Sequence, residues 1–570
     1  MIDIPLYNTR KIKDLRDMLE QSSRLFGNKD AFYTRNKAGM YQGITYSDFK
    51  NDVDALGTAL AGMGLKGGYI AVIGENRYEW CVTYLSTVNG TGVVVPLDKE
   101  LPAVEIENLL QRSNAAAVVF SGRYGDDMKK IQASTTTIKY FINMDLDEDE
   151  GCFLSYARLV DSGRELLASG DRSFLDTEIA SDEQAVLLFT SGTTDLAKGV
   201  MISHKNICFD ITAVCSMILI DSKDSVLSIL PLHHAYECTC GFLLMIYNGC
   251  TISFAEGLKH IPRNLRETRP TILLLVPLIL ESMYRRVWEQ AGKKPGLKLM
   301  LKAAIAVSNF TYSILKIDLR KKLFKKVHDN LGGRIRLVIS GAAAIDPVVC
   351  KGFRAMGVPA IQGYGLTECS PIVTVNTEFI FKDNSIGFPL TGTEVKIDSP
   401  GSDGIGEIIV KGDNVMLGYY NNEEATRKIL KNGWLFTGDL GYMDNSGFVY
   451  ITGRMKNVIV TKNGKNIYPE EVESYLNRSP YILESMVWGD YDEVSGETQV
   501  HAQIVPDFEA INSRLKIDTG SKEEIRKLIN SEVRNVNKNM PLYKHIRQVS
   551  IREEEFAKTT TRKIKRYEVK

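Results

Sequence analysis

The 570-residue sequence has no net charge and nothing that looks like a disulfide framework. Lys and Arg number 70 and Asp and Glu also number 70, so the charge balance gives no reason to expect nucleic acid or another polyanion as a partner. Nine cysteines, an odd number, are scattered from Cys81 to Cys369. This pattern favours reduced thiols over a set of disulfide bonds.

Long apolar runs and targeting signals are also lacking. The longest apolar run, 272–280, is too short to cross a bilayer and contains Pro277, so we expect a buried strand and a turn there. The first ten residues lack the basic start and apolar core of a signal peptide. Together with 44% hydrophobic and 25% charged residues, these absences predict a globular cytoplasmic protein.

The N-terminal third alternates helix and strand signals. Thr45 to Asp48 is typical of a helix start, and apolar residues at helical spacing continue over 49–63. Apolar segments 69–73 and 92–96 are typical of strands, with a helix between them through Val88. Strand, helix and strand joined by short connections predict parallel pairing in an α/β domain.

The stretch 186–206, V-L-L-F-T-S-G-T-T-D-L-A-K-G-V-M-I-S-H-K-N, has the composition of a phosphate-binding loop. An apolar strand leads into glycine and hydroxyl donors, and Lys198 adds a positive charge before a helix begins near Ser203. The spacing excludes a Walker A loop. A plain surface turn is the alternative from composition alone. The expected phosphate contacts are Thr190, Ser191, Gly192, Thr193, Thr194 and Lys198.

The order T-S-G-T-T-x-x-x-K-G resembles the phosphate loop of the adenylate-forming superfamily, which includes acyl-CoA synthetases, luciferases and peptide-synthetase adenylation domains. Asp195 and Ala197 stand where that family usually has Gly and Pro. Two further stretches carry the resemblance, L-P-L-H-H-A-Y-E at 230–237 and I-Q-G-Y-G-L-T-E-C-S-P at 361–371. With the overall length, they are most similar to bacterial long-chain fatty acyl-CoA synthetases.

The resemblance implies roles for residues in these stretches. Glu368 and Thr190 hold Mg²⁺, Thr367 contacts the α-phosphate, and the catalytic His234 lies beside the carboxylate being activated, with Tyr236 as an aromatic wall. The strand-like segment 335–344 ends in the small residues S-G-A-A-A, which leave room for a flat ligand, although packing against a helix would look the same. The remaining expected nucleotide contacts are Gly341, Ala342, Ala343, Gln362, Gly363, Tyr364 and Gly365.

Other interpretations of the histidines and cysteines at 233–240 are less favoured. An H-H-x-x-x-D-G acyl-transfer motif is excluded because Cys238 and Thr239 occupy the Asp and Gly positions. A zinc site with Cys240 would need a second ligand pair at a suitable distance. We interpret His233 as a core residue bonded to a backbone carbonyl.

Short strands and Gly, Asn and Asp turns over 406–454 predict a small β-rich subdomain. By resemblance, Asp439 binds the ribose hydroxyls, Arg454 adds a ribose or phosphate contact, and Lys456 contacts the nucleotide and marks a domain hinge. We therefore expect an N-terminal adenylation domain over 1–453, made of layered α/β subdomains and the β-rich subdomain. A small mobile α+β domain over 454–570 would follow it.

The resemblance assigns coenzyme A binding and one catalytic lysine to the C-terminal domain. The coenzyme A contacts would be Lys462, Gly464, Lys465 and Asn466. Val460 stands where some fatty-acid members have a second lysine. The tail T-T-T-R-K-I-K-R matches the family's catalytic motif with Lys563 as the catalytic residue. Arg562 replaces the usual glycine, which leaves Lys558 and Lys565 as rivals in register.

A basic stretch at 293–326 holds ten Lys or Arg and one acid, Asp318, among apolar residues. A solvated face of a helix is the favoured interpretation. The alternative is a weak docking surface for anionic membrane.

The predicted activity is ATP-dependent activation of a fatty acid, most similar to long-chain enzymes, followed by transfer to coenzyme A with release of AMP and pyrophosphate. ATP, Mg²⁺ and coenzyme A are the expected small-molecule partners, and a homodimer and peripheral membrane contact are the open associations. Because the chain ends soon after Lys563, free coenzyme A is favoured as acceptor. The alternatives are a fatty-acyl-AMP ligase loading a carrier protein, an enzyme for aryl or medium-chain acids, and a non-catalytic nucleotide- or lipid-binding member.

Overall fold

The structure, a computed structural model, describes residues 4–36, 38–190, 197–293, 295–461, 465–492, 497–518, 520–558 and 564–566. The chain divides into two compact units. The first unit is Met1–Glu394 with Val410–Leu435, and the second is Val395–Ile409 with Phe436–Lys570. Among the described residues, no helix is both long and apolar enough to cross a membrane.

The helices, in chain order, are α1 (Leu15–Phe26), α2 (Tyr46–Gly62), α3 (Tyr78–Ser86), α4 (Ala103–Arg112), α5 (Gly125–Ser134), α6 (Tyr156–Ala168), α7 (His204–Met217), α8 (Leu244–Tyr247), α9 (Ile261–Thr268), α10 (Pro277–Gly292), α11 (Leu297–Ser313), α12 (Arg320–Leu323), α13 (Lys325–Asn330), α14 (Pro347–Ala355), α15 (Glu423–Ile429), α16 (Pro469–Leu476), α17 (Phe508–Leu515) and α18 (Lys522–Asn537).

The strands are β1 (Asp30–Arg35), β2 (Tyr41–Thr45), β3 (Gly68–Ile73), β4 (Gly92–Pro96), β5 (Ala115–Phe120), β6 (Tyr140–Asn143), β7 (Phe153–Ser155), β8 (Gln184–Thr190), β9 (Lys198–Ser203), β10 (Ser225–Ser228), β11 (Thr251–Phe254), β12 (Ile272–Leu275), β13 (Leu337–Ser340), β14 (Ala360–Gly365), β15 (Ile372–Val375), β16 (Phe388–Pro389), β17 (Glu394–Asp398), β18 (Gly406–Lys411), β19 (Gly418–Tyr419), β20 (Leu430–Lys431), β21 (Trp434–Met443), β22 (Val449–Arg454), β23 (Ile459–Val460), β24 (Asn466–Ile467), β25 (Ile482–Asp492), β26 (Glu497–Pro506) and β27 (Ile546–Ile551).

The first unit contains two mixed sheets with helices packed on them. One sheet has the order β2-β1-β11-β10-β12-β13-β14-β15-β16 and is parallel from β1 to β14. The other has the order β7-β6-β5-β3-β4-β8-β9-β19 and is parallel from β7 to β8. Strands such as β12, which is buried along its whole length, are continuously apolar because helices cover both faces of a parallel sheet.

Several local predictions are confirmed. Thr45 caps α2 and forms a capping box with Asp48, and β3 pairs in parallel with β4. The expected strand at 272–280 is β12, but the expected turn is wrong because Pro277 begins α10. Proline fits the first turn of a helix, where its missing N–H group is not needed.

The second unit combines the β-rich segment with an α+β segment. Strand β21 pairs antiparallel with β22, with Asp439 opposite Arg454. Strands β25, β26 and β27 form a sheet, and α16 and α18 supply apolar side chains to its core. This core includes Val472, Ile504 and Ile529, all fully buried.

Candidate active site

The predicted phosphate loop lies between two antiparallel strands, β8 and β9. Thr190 is the register partner of Lys198, and its hydroxyl donates a hydrogen bond of 3.3 Å to the Lys198 carbonyl. The expected path from strand to loop to helix is therefore wrong, since a strand stands between the loop and α7. This strand, β9, forms because the apolar residues Val200 and Met201 pair with β8 on one side and with β19 on the other. Ser191, Gly192, Thr193 and Thr194 lie outside the described residues.

Lys198 and Glu368 come from separate motifs, and Tyr419 contacts both. Glu368 lies in a 3₁₀ turn, Thr367–Cys369, and its Oε1 accepts a hydrogen bond of 2.8 Å from the Tyr419 hydroxyl. The Lys198 ammonium lies 4.9 Å from the centre of the Tyr419 ring, within the range of a cation–π interaction. Tyr419 reaches both side chains because it pairs with Val200 on β9.

The small residues after β13 make a close aromatic contact. A Cβ at Gly341 would lie 2.8 Å from the Tyr236 ring, so only glycine admits this ring. The Tyr236 hydroxyl also donates to the carbonyl of Ile339, at 3.1 Å. Ala342 has a φ of +70°, an uncommon backbone conformation for a residue with a side chain, and Ala343 is exposed. The structure thus joins two predicted segments at Gly341.

Strand β14 carries the expected nucleotide residues in two environments. The Gln362 side chain is 5% exposed and donates to the carbonyls of Ser385 and Asp383, at 2.6 and 3.2 Å. These bonds attach β14 to the adjacent loop, so the side chain has a structural role that the sequence did not suggest. Gly363, Tyr364 and Gly365 are partly exposed.

The two histidines lie together, with a carboxylate beside them. The ring centres of His233 and His234 are 4.3 Å apart, and His233 Nε2 lies 3.3 Å from Asp98 Oδ1. His233 is buried as expected, but the expected backbone carbonyl partner is replaced by this carboxylate. The Asp98 carboxylate is thus the polar neighbour of His233 Nε2, but the two atoms are not aligned for a hydrogen bond.

Asn76, which follows β3, holds the loop that leads to these histidines. Its amide group donates to Ser228 Oγ at 2.8 Å and to the Leu230 carbonyl at 2.6 Å. Its carbonyl oxygen accepts from the Leu232 N–H group at 3.1 Å. Ser228 in turn donates to Glu237 Oε1 at 2.6 Å.

In the second unit, the two predicted ribose residues form an ion pair. Arg454 Nε lies 2.7 Å from Asp439 Oδ1, and Asp439 is 2% exposed. Lys456 follows in a 3₁₀ turn, Met455–Asn457. Burial, and then the nearby charges of Arg454 and Arg566, lower the pKa of Lys456.

The predicted coenzyme A residues are only partly described. Lys465 Nζ lies 4.7 Å from the centre of the Tyr543 ring, and Asn466 begins β24. Lys462 and Gly464 lie outside the described residues. Val460 is exposed at the end of β23.

Lys563 also lies outside the described residues. The contacts of Lys558 and Lys565 nevertheless help to decide which lysine of the C-terminal motif is the catalytic one. Lys558 Nζ forms ion pairs with Glu484 and Glu555, at 2.7 and 2.5 Å. Although burial opposes it, hydrogen bonding to these carboxylates raises the pKa of Lys558. The Lys565 N–H group donates to the Ala557 carbonyl at 2.8 Å. The two carboxylates give Lys558 a structural role.

Comparison with known proteins decides the family. A family model described as AMP-binding enzyme matches residues 19–420. This chain belongs to that AMP-binding enzyme family. The resemblance to adenylate-forming enzymes is thereby confirmed.

Two relatives and one solved structure are similar to this AMP-binding enzyme. It is 29% identical to long-chain-fatty-acid–CoA ligase 5 of Rattus norvegicus, covering 100% of this chain and 88% of the relative. It is 27% identical to a chloroplastic long-chain-fatty-acid–[acyl-carrier-protein] ligase of Arabidopsis thaliana, covering 86% and 76%. The structure of O-succinylbenzoate coenzyme A synthetase from Bacillus subtilis, in complex with ATP and magnesium ion, has a TM-score of 0.71 at 22% identity, covering 96% and 98%. This likeness confirms the α/β fold class.

Among the residues that the structure describes, Cys238 and Cys240 belong to no group of side chains close enough to share a zinc ion. Among the described residues, the group of side chains close enough to share a metal is Asp98, His233 and His234, with ligand atoms within 4.8 Å of one another. Cys238 and Cys240 are buried, and burial raises the pKa of both thiols. A raised thiol pKa disfavours the thiolate that zinc binds.

Sequence reasoning missed several residues of this site. Tyr419, Asp98 and Asn76 lie far along the chain from the motifs that they contact. Arg112 was also missed; it donates to the Ala197 carbonyl at 2.5 Å and lines a cavity of about 310 Å³ with Lys198. Nothing in the local pattern distinguishes these residues from core or surface residues. For Tyr419, the only hint in the sequence is the order G-Y-Y at 418–420, in which two aromatic residues follow a glycine.

Proposed function

We propose that this AMP-binding enzyme activates a long-chain fatty acid with ATP and then transfers the acyl group to coenzyme A. In the first step, a carboxylate oxygen attacks the α-phosphorus of ATP, and pyrophosphate leaves. In the second step, the coenzyme A sulfur attacks the acyl carbonyl carbon, and AMP leaves. The observation that carries the proposal is the contact of Tyr419 with both Lys198 and Glu368, in a chain that matches a long-chain-fatty-acid–CoA ligase over its whole length.

The described side chains suit the first step. Lys198, the first residue of β9, would offset the negative charge of the triphosphate. His234, beside His233 and Asp98, would lie next to the acyl carboxylate, and Tyr236 would form an aromatic wall there. Asp439 and Arg454 would hold the ribose. The domain division after residue 453 and the hinge at Lys456 stay predictions.

The donor chemistry of the site fits Mg²⁺. A carboxylate at Glu368 and a hydroxyl at Thr190 are the hard oxygen ligands that this ion prefers. When bound, Mg²⁺ supplies positive charge to the phosphate oxygens. Tyr419 would orient the Glu368 carboxylate toward that task.

A carrier protein is the second candidate acceptor. The Arabidopsis thaliana relative is named as a ligase for acyl carrier protein, and it is nearly as similar to this chain as the coenzyme A ligase is. Acyl-adenylate chemistry is the same in both cases, so only the acceptor of the second step separates them.

The full chain with ATP and Mg²⁺ should release pyrophosphate only when a fatty acid is added, with the highest rate for long chains. AMP and an acyl thioester should accumulate on addition of coenzyme A. Acids from acetate to oleate and an aryl acid would be compared by pyrophosphate release and thioester mass. Pyrophosphate without a coenzyme A thioester would favour the carrier-protein ligase, whereas no release with any acid would leave a non-catalytic member.

Replacing Tyr419 with phenylalanine should raise the Mg²⁺ concentration needed for half-maximal adenylation by about tenfold, because the bond to the charged Glu368 is lost. The aromatic ring stays, so the KM for ATP should change little. Tyr419→Leu should raise both quantities, because the contact with Lys198 is lost as well. Titrations of Mg²⁺ and ATP would separate the two effects.

Tyr420→Phe is the matched control, since the Tyr420 ring packs against Tyr69, with ring centres 5.5 Å apart. It should leave the Mg²⁺ dependence unchanged. An unchanged Mg²⁺ dependence in Tyr419→Phe would show that Tyr419 does not orient Glu368.

A further inference from the structure

Helix α11 and the segment after it present apolar side chains to solvent. Leu299 is 73% exposed, Met300 67%, Phe310 56%, Ile314 64% and Ile317 51%. We call residues 297–323 the basic apolar surface. Its other exposed large apolar residues are Leu297, Val307, Tyr312, Leu315 and Leu323.

The exposed side chains form a stripe opposite a second apolar face. Leu299, Ala303, Val307 and Phe310 follow one another at helical spacing on the solvent side. On the other side, Leu301, Ala304 and Ile305 pack against the core of the first unit. A helix that is apolar on both sides is expected to be covered on both. The structure leaves this face exposed to solvent, as the favoured interpretation expected, but an apolar stripe on such a face needs a further explanation.

The charges around this stripe are positive. Lys298, Lys302, Lys316, Lys321 and Lys322 are all exposed. The one acid of the stretch, Asp318, is held by the Arg320 guanidinium at 2.6 and 2.8 Å, which lowers the pKa of Asp318. Among the described residues of 295–326, ion pairs form only at Arg320 and at Lys325, which contacts Asp329. Within the described part of the chain, the lysines beside the stripe therefore form no ion pair, and they are available to an external partner.

We propose that the basic apolar surface docks this enzyme on an anionic lipid bilayer. Exposed leucine, methionine and phenylalanine side chains would enter the boundary between headgroups and acyl chains, and the lysines would contact anionic headgroups. A second copy fits less well, because a symmetric contact would bring the same lysines face to face. The docking itself is inferred from the exposed side chains alone. Its benefit rests on the proposed function, because long-chain fatty acids partition into bilayers and a docked enzyme would meet its substrate there.

Sedimentation with lipid vesicles tests this proposal. The full chain should bind vesicles containing about one-third phosphatidylglycerol and bind pure phosphatidylcholine vesicles much more weakly. Each lysine near the surface contributes about fivefold in affinity, so Lys298→Glu with Lys302→Glu should weaken binding at least about 25-fold. Leu299→Ser with Phe310→Ser should weaken it by a factor on the order of 100. Added salt should reduce binding of the wild type.

Matched controls lie elsewhere on the first unit. Phe379 is 73% exposed outside this surface, and Lys129 is an exposed lysine on α5. Phe379→Ser and Lys129→Glu should bind as the wild type does. All variants should keep the wild-type melting temperature, which shows that they fold. Their adenylation of a short soluble acid is measured without vesicles. This activity does not depend on membrane binding, so its result tests the proposed function separately from the proposed docking.

Three results would overturn the proposal. They are equal binding to both vesicle types, no binding to either, and undiminished binding by the two surface variants. A wild-type dimer that becomes a monomer in Leu299→Ser with Phe310→Ser, measured by light scattering after size-exclusion chromatography, would assign this surface to a second copy instead.

Discussion

Replacement of Lys563 with alanine is expected to slow acyl-adenylate formation by about 100- to 1,000-fold, the usual loss when one preorganised donor to a developing negative charge is removed. The expected reason is that the Lys563 ammonium stabilises charge on the α-phosphorus and the bridging oxygen. Pyrophosphate release in single-turnover experiments measures this step. Thioester formation from a supplied acyl-adenylate should change by only a few-fold. The family resemblance implies that the C-terminal domain rotates at the Lys456 hinge between the two steps, and this rotation would withdraw Lys563 before the thioester forms.

The rival lysines provide the controls for Lys563. Lys558→Ala should retain adenylation within a few-fold and lower the stability of the second unit, because it leaves Glu484 without its cation. Lys565→Ala should also retain activity. A loss of 100-fold or more in Lys558→Ala or Lys565→Ala, with normal activity in Lys563→Ala, would show that the motif has been aligned in the wrong register.

Replacement of Glu237 with glutamine should make the protein more stable than the wild type at alkaline pH. Glu237 is 1% exposed, and its Oε2 has no hydrogen-bond partner within the described part of the chain. Burial raises the pKa of Glu237 to about 8, and the bond from Ser228 offsets this only in part. The folded protein therefore holds this carboxyl in its protonated form at neutral pH.

The sign of the pH effect follows from that raised pKa. In the unfolded chain the glutamate loses its proton near its ordinary pKa of about 4.3, well before the folded chain does. The free energy of unfolding therefore falls as the pH rises from about 4.3 to about 8, by about 1.4 kcal/mol per unit and on the order of 5 kcal/mol in total. Glutamine has no proton to lose, so this decline should be absent in the variant.

Urea unfolding of the wild type and Glu237→Gln at several pH values between 5 and 9 measures this difference. The stability of the variant relative to the wild type should grow with pH and level off above about 8. The exposed Glu105→Gln serves as control and should show no such trend. A constant difference between the two proteins would mean that Glu237 is ionised in the fold at neutral pH.

The parts of the fold that the sequence predicted are local. The capping box of Thr45 and Asp48 spans four residues, and both of its hydrogen bonds form within that span. The strand at 198–203 was missed because one of its two neighbours in the sheet is β19, more than 200 residues later in the chain. The strand propensity of the local sequence carries no information about pairing with so distant a strand.

The same distinction holds in the candidate site. Lys198 and Glu368 were identified because each stands in its own motif, whereas Tyr419, which contacts both, stands in neither. Asp98 became the neighbour of His233 only through the arrangement of strands in space. The basic apolar surface shows the converse, since its composition was evident but the outward direction of its apolar side chains was not.

The three hydrogen bonds of Asn76 have a consequence for substrate binding. They attach the loop at Ser228 to Leu232 to the end of β3, so the loop has little independent motion. The conformational entropy of this loop is therefore lost once, when the protein folds, and not again at every turnover. If His234 acts as proposed, we expect the histidines that follow this loop to be in position before a substrate arrives.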